Sequence, residues 1–217
     1  MPPVLRLFED SISAGASLSL PPLPRMIFVV HGSAAADGKT FSDGDAWSGE
    51  GAATLAAGKE GVTVWRYELA GSGAPCGQAQ GKGVRSTEKL SAVLATVPQG
   101  EVLLRGDSVG FPPGGCAYLH THLGPGIRCM IEGGIRIDTQ GHSTSYGPGS
   151  PWYETGTDPV FAQAAPDRPS RFVRVMILPR SLLGQSSFRF VNEEDKAKPR
   201  VQQYNIFADM PVATPQG

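Results

Sequence analysis

Cysteine is scarce in this chain of 217 residues. The three present, Cys76, Cys116 and Cys129, form no Cys-X-X-Cys pair. That excludes a disulfide framework and argues against a structural zinc site. An excess of either charge is also lacking. Nineteen basic and 20 acidic residues give a formal net charge of −1, so neither nucleic acid nor a membrane surface is expected as a partner. No apolar run approaches the roughly 20 residues that span a bilayer. The first residues lack the charged-then-apolar layout of a secretory signal, and the expected location is the cytoplasm. Histidine is rare, with four in all.

What the chain does have is glycine and proline, 28 and 19 respectively. They lie among apolar segments rather than in one tract, the pattern of many short strands joined by tight turns. Residues 62–69, Val-Thr-Val-Trp-Arg-Tyr-Glu-Leu, alternate and are rich in β-branched and aromatic side chains. Residues 26–30, 101–105, 128–138 and 172–178 also read as strands, with 188–191 and 203–207 as weaker ones. Gly106-Asp107 reads as a turn after 101–105. Residues 86–96 could be the one helix or equally a strand.

A faint repeat runs through these segments. Asp10-Ser11 matches Asp107-Ser108, and the segment around Trp47 matches that around Trp152. Trp65-Arg66-Tyr67 matches Val173-Arg174-Val175. The offset drifts as small loop insertions would make it. Two similar lobes are expected, residues 1–98 and 99–217, split near Pro98-Gln99-Gly100. Chance likeness between glycine-rich strands is the alternative.

The chemistry sits in residues 111–154. His120-Thr121-His122 places two imidazoles on one face of a strand, a common half of a transition-metal site. The other reading is two polar residues on a solvated face.

This stretch resembles the first cupin motif. Gly114 or Gly115 precedes the pair, His120-Thr121-His122 fits its His-X-His, and Gly133 fits its closing glycine. Gly149-Ser150-Pro151 resembles the core of the second cupin motif. The resemblance implies an all-β double-stranded β-helix, a jelly-roll barrel, with a degenerate first lobe and a C-terminal extension. It also implies a possible homodimer. The motif's glutamate falls on Gly126 and the second motif's histidine falls on Trp152, so two of the family's four ligands carry over.

Position suggests replacements. Glu154 lies two residues beyond Trp152 and, on a continuing strand, shares its face. His120, His122 and Glu154 would form a two-histidine, one-carboxylate site for a divalent transition metal such as Fe, Mn, Ni or Zn. Glu154 could instead end a strand in solvent. Arg128 could face inward as a catalytic and substrate-binding guanidinium for an anion, or sit on the rim. Tyr118, Trp152 and Cys116 share the inward parity. Tyr118 and Trp152 are either a wall for a small-molecule substrate or plain core, and Cys116 reads as a small buried residue. Besides a weaker reading, a sugar or nucleotide-sugar isomerase-like barrel using histidine as a general base without metal, two functions follow. One is a metal-dependent enzyme, a dioxygenase acting on a small aromatic or carboxylate compound. The other is a non-catalytic small-molecule-binding cupin that has lost full metal ligation.

Overall fold

A computed structural model describes residues 2–73, 77, 81–97 and 101–214. The chain divides into two compact units, one of Met1–Ala95 with Val212–Gly217, the other Thr96–Pro211. Cys76 and the expected boundary at Pro98-Gln99-Gly100 lie outside the described residues. Among those described, no helix is long and apolar enough to cross a membrane.

The first unit is one antiparallel sheet. Its strands are β1 (Val4–Ile12), β2 (Ser17–Leu20), β3 (Arg25–Ala36), β4 (Lys39–Ser42), β5 (Ala46–Gly49), β6 (Ala53–Ala70) and β7 (Val84–Val93). Their order is β4-β3-β6-β1-β7, with β2 on β6 and β5 on β3. Residues 86–96 fall largely in β7, so the helical reading is wrong; pairing with β1 from Val4↔Val93 to Ile12↔Val84 claims this backbone. Alternation in β2 buries Leu18 and Leu20 and exposes Ser17 and Ser19. The interior carries charge. Arg66 reaches Asp10 at 2.6 Å and Glu68 at 2.7 Å, and all three side chains are buried.

The second unit has two five-stranded sheets. One is ordered β13 (Pro151–Glu154), β10 (Gly126–Glu132), β15 (Ser170–Pro179), β8 (Glu101–Phe111) and β17 (Gln203–Ala213). The other is β12 (His142–Tyr146), β11 (Ile135–Thr139), β14 (Val160–Ala164), β9 (Cys116–His122) and β16 (Phe188–Phe190). Val109, Met130, Trp152 and Phe172 of the first sheet share one core with Ala117, Ile137, Val160 and Ala162 of the second. Two layers closing on a common core make the jelly roll.

Glycine sets the corners. Gln140-Gly141, with φ of 50° and 75°, forms the two-residue link between β11 and β12, the left-handed pair that suits strand twist. Gly133 turns the chain from β10 to β11 at φ 76°, and a Cβ there would lie 2.2 Å from the Pro169 carbonyl oxygen. Gly106-Asp107 is no turn, because β8 runs through it. Asp107 stands opposite Arg174 of β15, and that buried ion pair outweighs the dipeptide's turn preference.

Candidate functional site

β9, β10, β13 and β15 deliver the site. His120 and His122 are each 5% exposed and line one cavity. Their rings are edge to face with centroids 5.0 Å apart. β16 runs beside β9 with Phe188 opposite His122. The Phe188 ring stacks on His120 at 4.3 Å.

Each imidazole's tautomer follows from its partners. His120 Nδ1 lies 2.7 Å from the Tyr118 carbonyl oxygen, which can only accept. Nδ1 therefore carries the proton and Nε2 presents its lone pair. His122 Nε2 lies 3.4 Å from Arg174 Nη1, a donor, so Nε2 accepts. Its Nδ1–H then points to Ser187 Oγ at 3.3 Å. Burial pushes the His120 pKa down, against the pull of Glu154. Burial pushes His122 well down, helped by Arg174 and Arg128. Both rings are neutral near pH 7.

Glu154 and Arg128 do point inward. Gly126 stands opposite Glu154, and Arg128 opposite Trp152, on neighbouring strands. Arg128 Nη2 meets Glu154 Oε2 at 2.7 Å, with side-chain exposures of 1% and 8%. Arg128 Nη1 donates to the Gly126 carbonyl at 2.7 Å. Trp152 Nε1 donates to Glu154 Oε1 at 2.8 Å. Trp152 is both core and cavity wall, stacked on Tyr146 at 4.8 Å. A second buried pair, Arg174–Asp107 at 2.7 Å, completes the polar interior. Burial works against the Arg174 charge, but Asp107 holds its pKa above the ordinary value.

Tyr118 departs from the expected wall. Along β14, Val160 pairs with His120 and Ala162 with Ala117. Three steps on β9 therefore face two on β14, a β-bulge that inverts the alternation. Ala117 joins the histidines in the cavity, and Tyr118 and Cys116 leave it. The Tyr118 ring instead lies 4.5 Å from the Nζ of exposed Lys198.

The residues present do not fit a resident metal ion. Both Glu154 oxygens are engaged, by a guanidinium and by an indole N–H. The His122 lone pair faces Arg174, itself a cation. Among the described residues no group of three or more His, Cys, Asp or Glu is placed to hold a metal. The motif's glutamate position cannot be refilled either: a Cβ on Gly126 would lie 2.4 Å from the Val175 carbonyl oxygen. The free space at the cavity centre is about 20 Å³, room for one or two waters and not for an aromatic ring.

Reasoning from sequence missed Asp107, Arg174, Ser187 and Phe188. Asp107 and Arg174 were visible as repeat markers. Phe188 and Ser187 carried no signal, because strand pairing brings them to a histidine pair some 65 residues away in sequence.

No family model matches the chain, and no curated protein matches it. Solved structures do. An oxalate decarboxylase from Bacillus subtilis at pH 4.6 aligns with TM-score 0.62 at 14% identity, over 90% of this chain and 72% of that one. The formate complex of the Lactobacillus farciminis oxalate decarboxylase aligns with TM-score 0.63 at 13% identity, over 89% and 82%. A third, the B. subtilis enzyme described with Mn(II) centres, gives 0.62 at 14% identity, over 89% and 73%. At such identities the likeness speaks for backbone alone, and together with the two-layer barrel it shows that this chain has the cupin fold.

Proposed function

We infer that the second unit is a non-catalytic small-molecule-binding cupin that works without a metal. One observation carries this reading: protein cations already pair with two of the three groups that a metal ion would need. Arg128 holds Glu154, and Arg174 faces the His122 lone pair. Four buried charges, Arg128, Glu154, Arg174 and Asp107, cancel in two close pairs. Such a balanced interior is stable only while every partner remains. Trp152 Nε1–H locks Glu154 in place, and Ser187 does the same for His122. The pocket is thus a rigid polar floor with neutral imidazoles, suited to hydrogen-bonding a ligand's polar end.

Metal analysis of full-length protein, purified without chelator and incubated with MnCl2, tests the reading. The expected result is manganese far below one equivalent, unchanged in His120→Ala. One tightly held equivalent, lost in both His120→Ala and Glu154→Ala, would overturn it.

The second reading is a metal-dependent oxidoreductase with His120, His122 and Glu154 as ligands and a small carboxylate as substrate. Two observations favour it: the free Nε2 lone pair of His120, and a fold shared with oxalate decarboxylases. It requires an oxygen of Glu154 already held by Arg128 or Trp152 to turn a lone pair toward the histidines.

A further inference from the structure

Beside the histidine cavity, and sharing with it Arg174, Phe188 and Tyr204, lies a second and roomier one of about 300 Å³. That is the lower end of the range for small-molecule pockets. We propose that this outer cavity binds an organic monocarboxylate with an aromatic or alkyl body, anchored through Arg200. The proposal rests on the binding-protein reading above and supplies the ligand class and place that the crowded inner cavity cannot.

Charge accounting selects the anchor. Three arginines line the outer cavity. Arg105 is consumed by Asp209, at 2.8 and 2.9 Å, and by the carbonyls of Leu182 and Gln185. Arg174 is consumed by Asp107, at 2.7 and 3.0 Å. Arg200 is left. Its partners among the described residues are aromatic faces: its guanidinium carbon lies 5.2 Å from the Phe188 centroid and 4.8 Å from that of Phe190. Ring faces attract a guanidinium weakly and leave its five N–H donors free. Arg200 is exposed, so water holds these donors until a ligand replaces it, and a lone cation without a carboxylate partner suits a singly charged anion. That favours a carboxylate over a phosphate monoester, which carries about −1.5 to −2 at neutral pH.

Apart from the arginines, the cavity has a polar side, Asp107, Gln185, Ser186 and Ser187, and an apolar one. Met176 and Phe188 lie within the apolar side, and Tyr204 and Ile206 stand at its edge, 49% and 57% exposed. Two large side chains left in water beside one cavity are surface that a ligand body would cover. Phe188 links the cavities, since the ring that meets Arg200 also stacks on His120. A body lying against Phe188 would therefore rest on the lid of the histidine pair.

Calorimetry on the full chain with four probes tests this. Benzoate carries charge and body, benzyl alcohol the body alone, acetate the charge alone, and phenyl phosphate a second anion chemistry. Saturable benzoate binding is expected, at least tenfold tighter than benzyl alcohol or acetate. Arg200→Gln should weaken benzoate about tenfold, as loss of a charge-assisted contact does, and leave benzyl alcohol unchanged. Ile206→Ser should weaken both. Raising NaCl from 50 to 500 mM should weaken benzoate in the unaltered protein, a readout independent of any variant's folding. Absent benzoate binding, benzyl alcohol binding equally well, salt-insensitive affinity, or an Arg200→Gln variant folded and binding benzoate as before would each overturn the proposal. Tighter binding of phenyl phosphate than of benzoate would overturn the carboxylate assignment. Manganese content is read separately, so a metal-loaded protein would sink the binding-protein reading without touching these results.

Discussion

Replacing Glu154 with alanine is the sharpest perturbation of the second unit's interior. The carboxylate is 2.7 Å from Arg128, whose side chain is 1% exposed. Removing it strands a guanidinium in low dielectric, and deleting one partner of a buried pair costs about 3–5 kcal/mol. The Trp152 indole N–H, 2.8 Å from the same carboxylate, loses its acceptor too. Water entering the vacated space offsets part of that loss, so the expected total stays at about 3–5 kcal/mol. With an m-value of about 2 kcal/mol/M, the urea midpoint should fall by about 1.5–2.5 M. Glu154→Gln keeps an acceptor for the indole and should cost less. The double change Arg128→Met with Glu154→Leu removes both charges and should come within about 1 kcal/mol of the parent, because a well-packed apolar pair often replaces a buried ion pair without loss. Urea unfolding followed by circular dichroism gives the midpoints. Hydrogen exchange then locates the weakening, expected along β10, β13 and β15. An alanine variant within 1 kcal/mol of the parent, or a double variant as unstable as the single one, would refute the claim that Glu154 exists to compensate Arg128.

Acid should destabilise the second unit through its histidines. Burial holds both folded-state pKa values below the ordinary 6.5, so their contribution is complete above about pH 6.5 and is lost as pH falls. Where the unfolded chain binds both protons and the folded one neither, stability drops by about 2.7 kcal/mol per pH unit. Denaturation at stepped pH should show this steepening, and a His120→Gln, His122→Gln variant should flatten it. Gly126→Ala should cost about 1–3 kcal/mol through overpacking against the Val175 carbonyl, and Gly126→Glu should gain no manganese affinity; thermal melts with and without MnCl2 check both. Tyr118→Ala should leave benzoate affinity unchanged, since the bulge turns that ring away from both cavities. A loss beyond threefold by calorimetry would contradict that placement.

Much of the barrel is written in local pattern. Short alternating segments, glycine corners and the lack of any long helical period specify a sheet protein, because strand periodicity and turn chemistry are properties of neighbouring residues. His120 and His122 could be placed on one face for the same reason, with only Thr121 between them and no bulge to disturb the count. Tyr118 could not, because the extra residue that inverts its facing is visible only in how β9 pairs with β14. The fate of Glu154 lay further out of reach. Its inward direction follows from strand parity, but its two partners, one on its own strand and one on the neighbouring strand, decide whether its oxygens are free. Arg174 and Phe188, from distant strands, meet the histidines only once the sheets close. Parity and turns are short-range, so the amino-acid order by itself determined most of the strands and the facing of the histidine pair, while β7 and the run of β8 through Gly106-Asp107 were decided by their partner strands. Ion pairing and ring stacking act through space between remote segments, so only the tertiary structure decided that this pocket is filled by its own arginines.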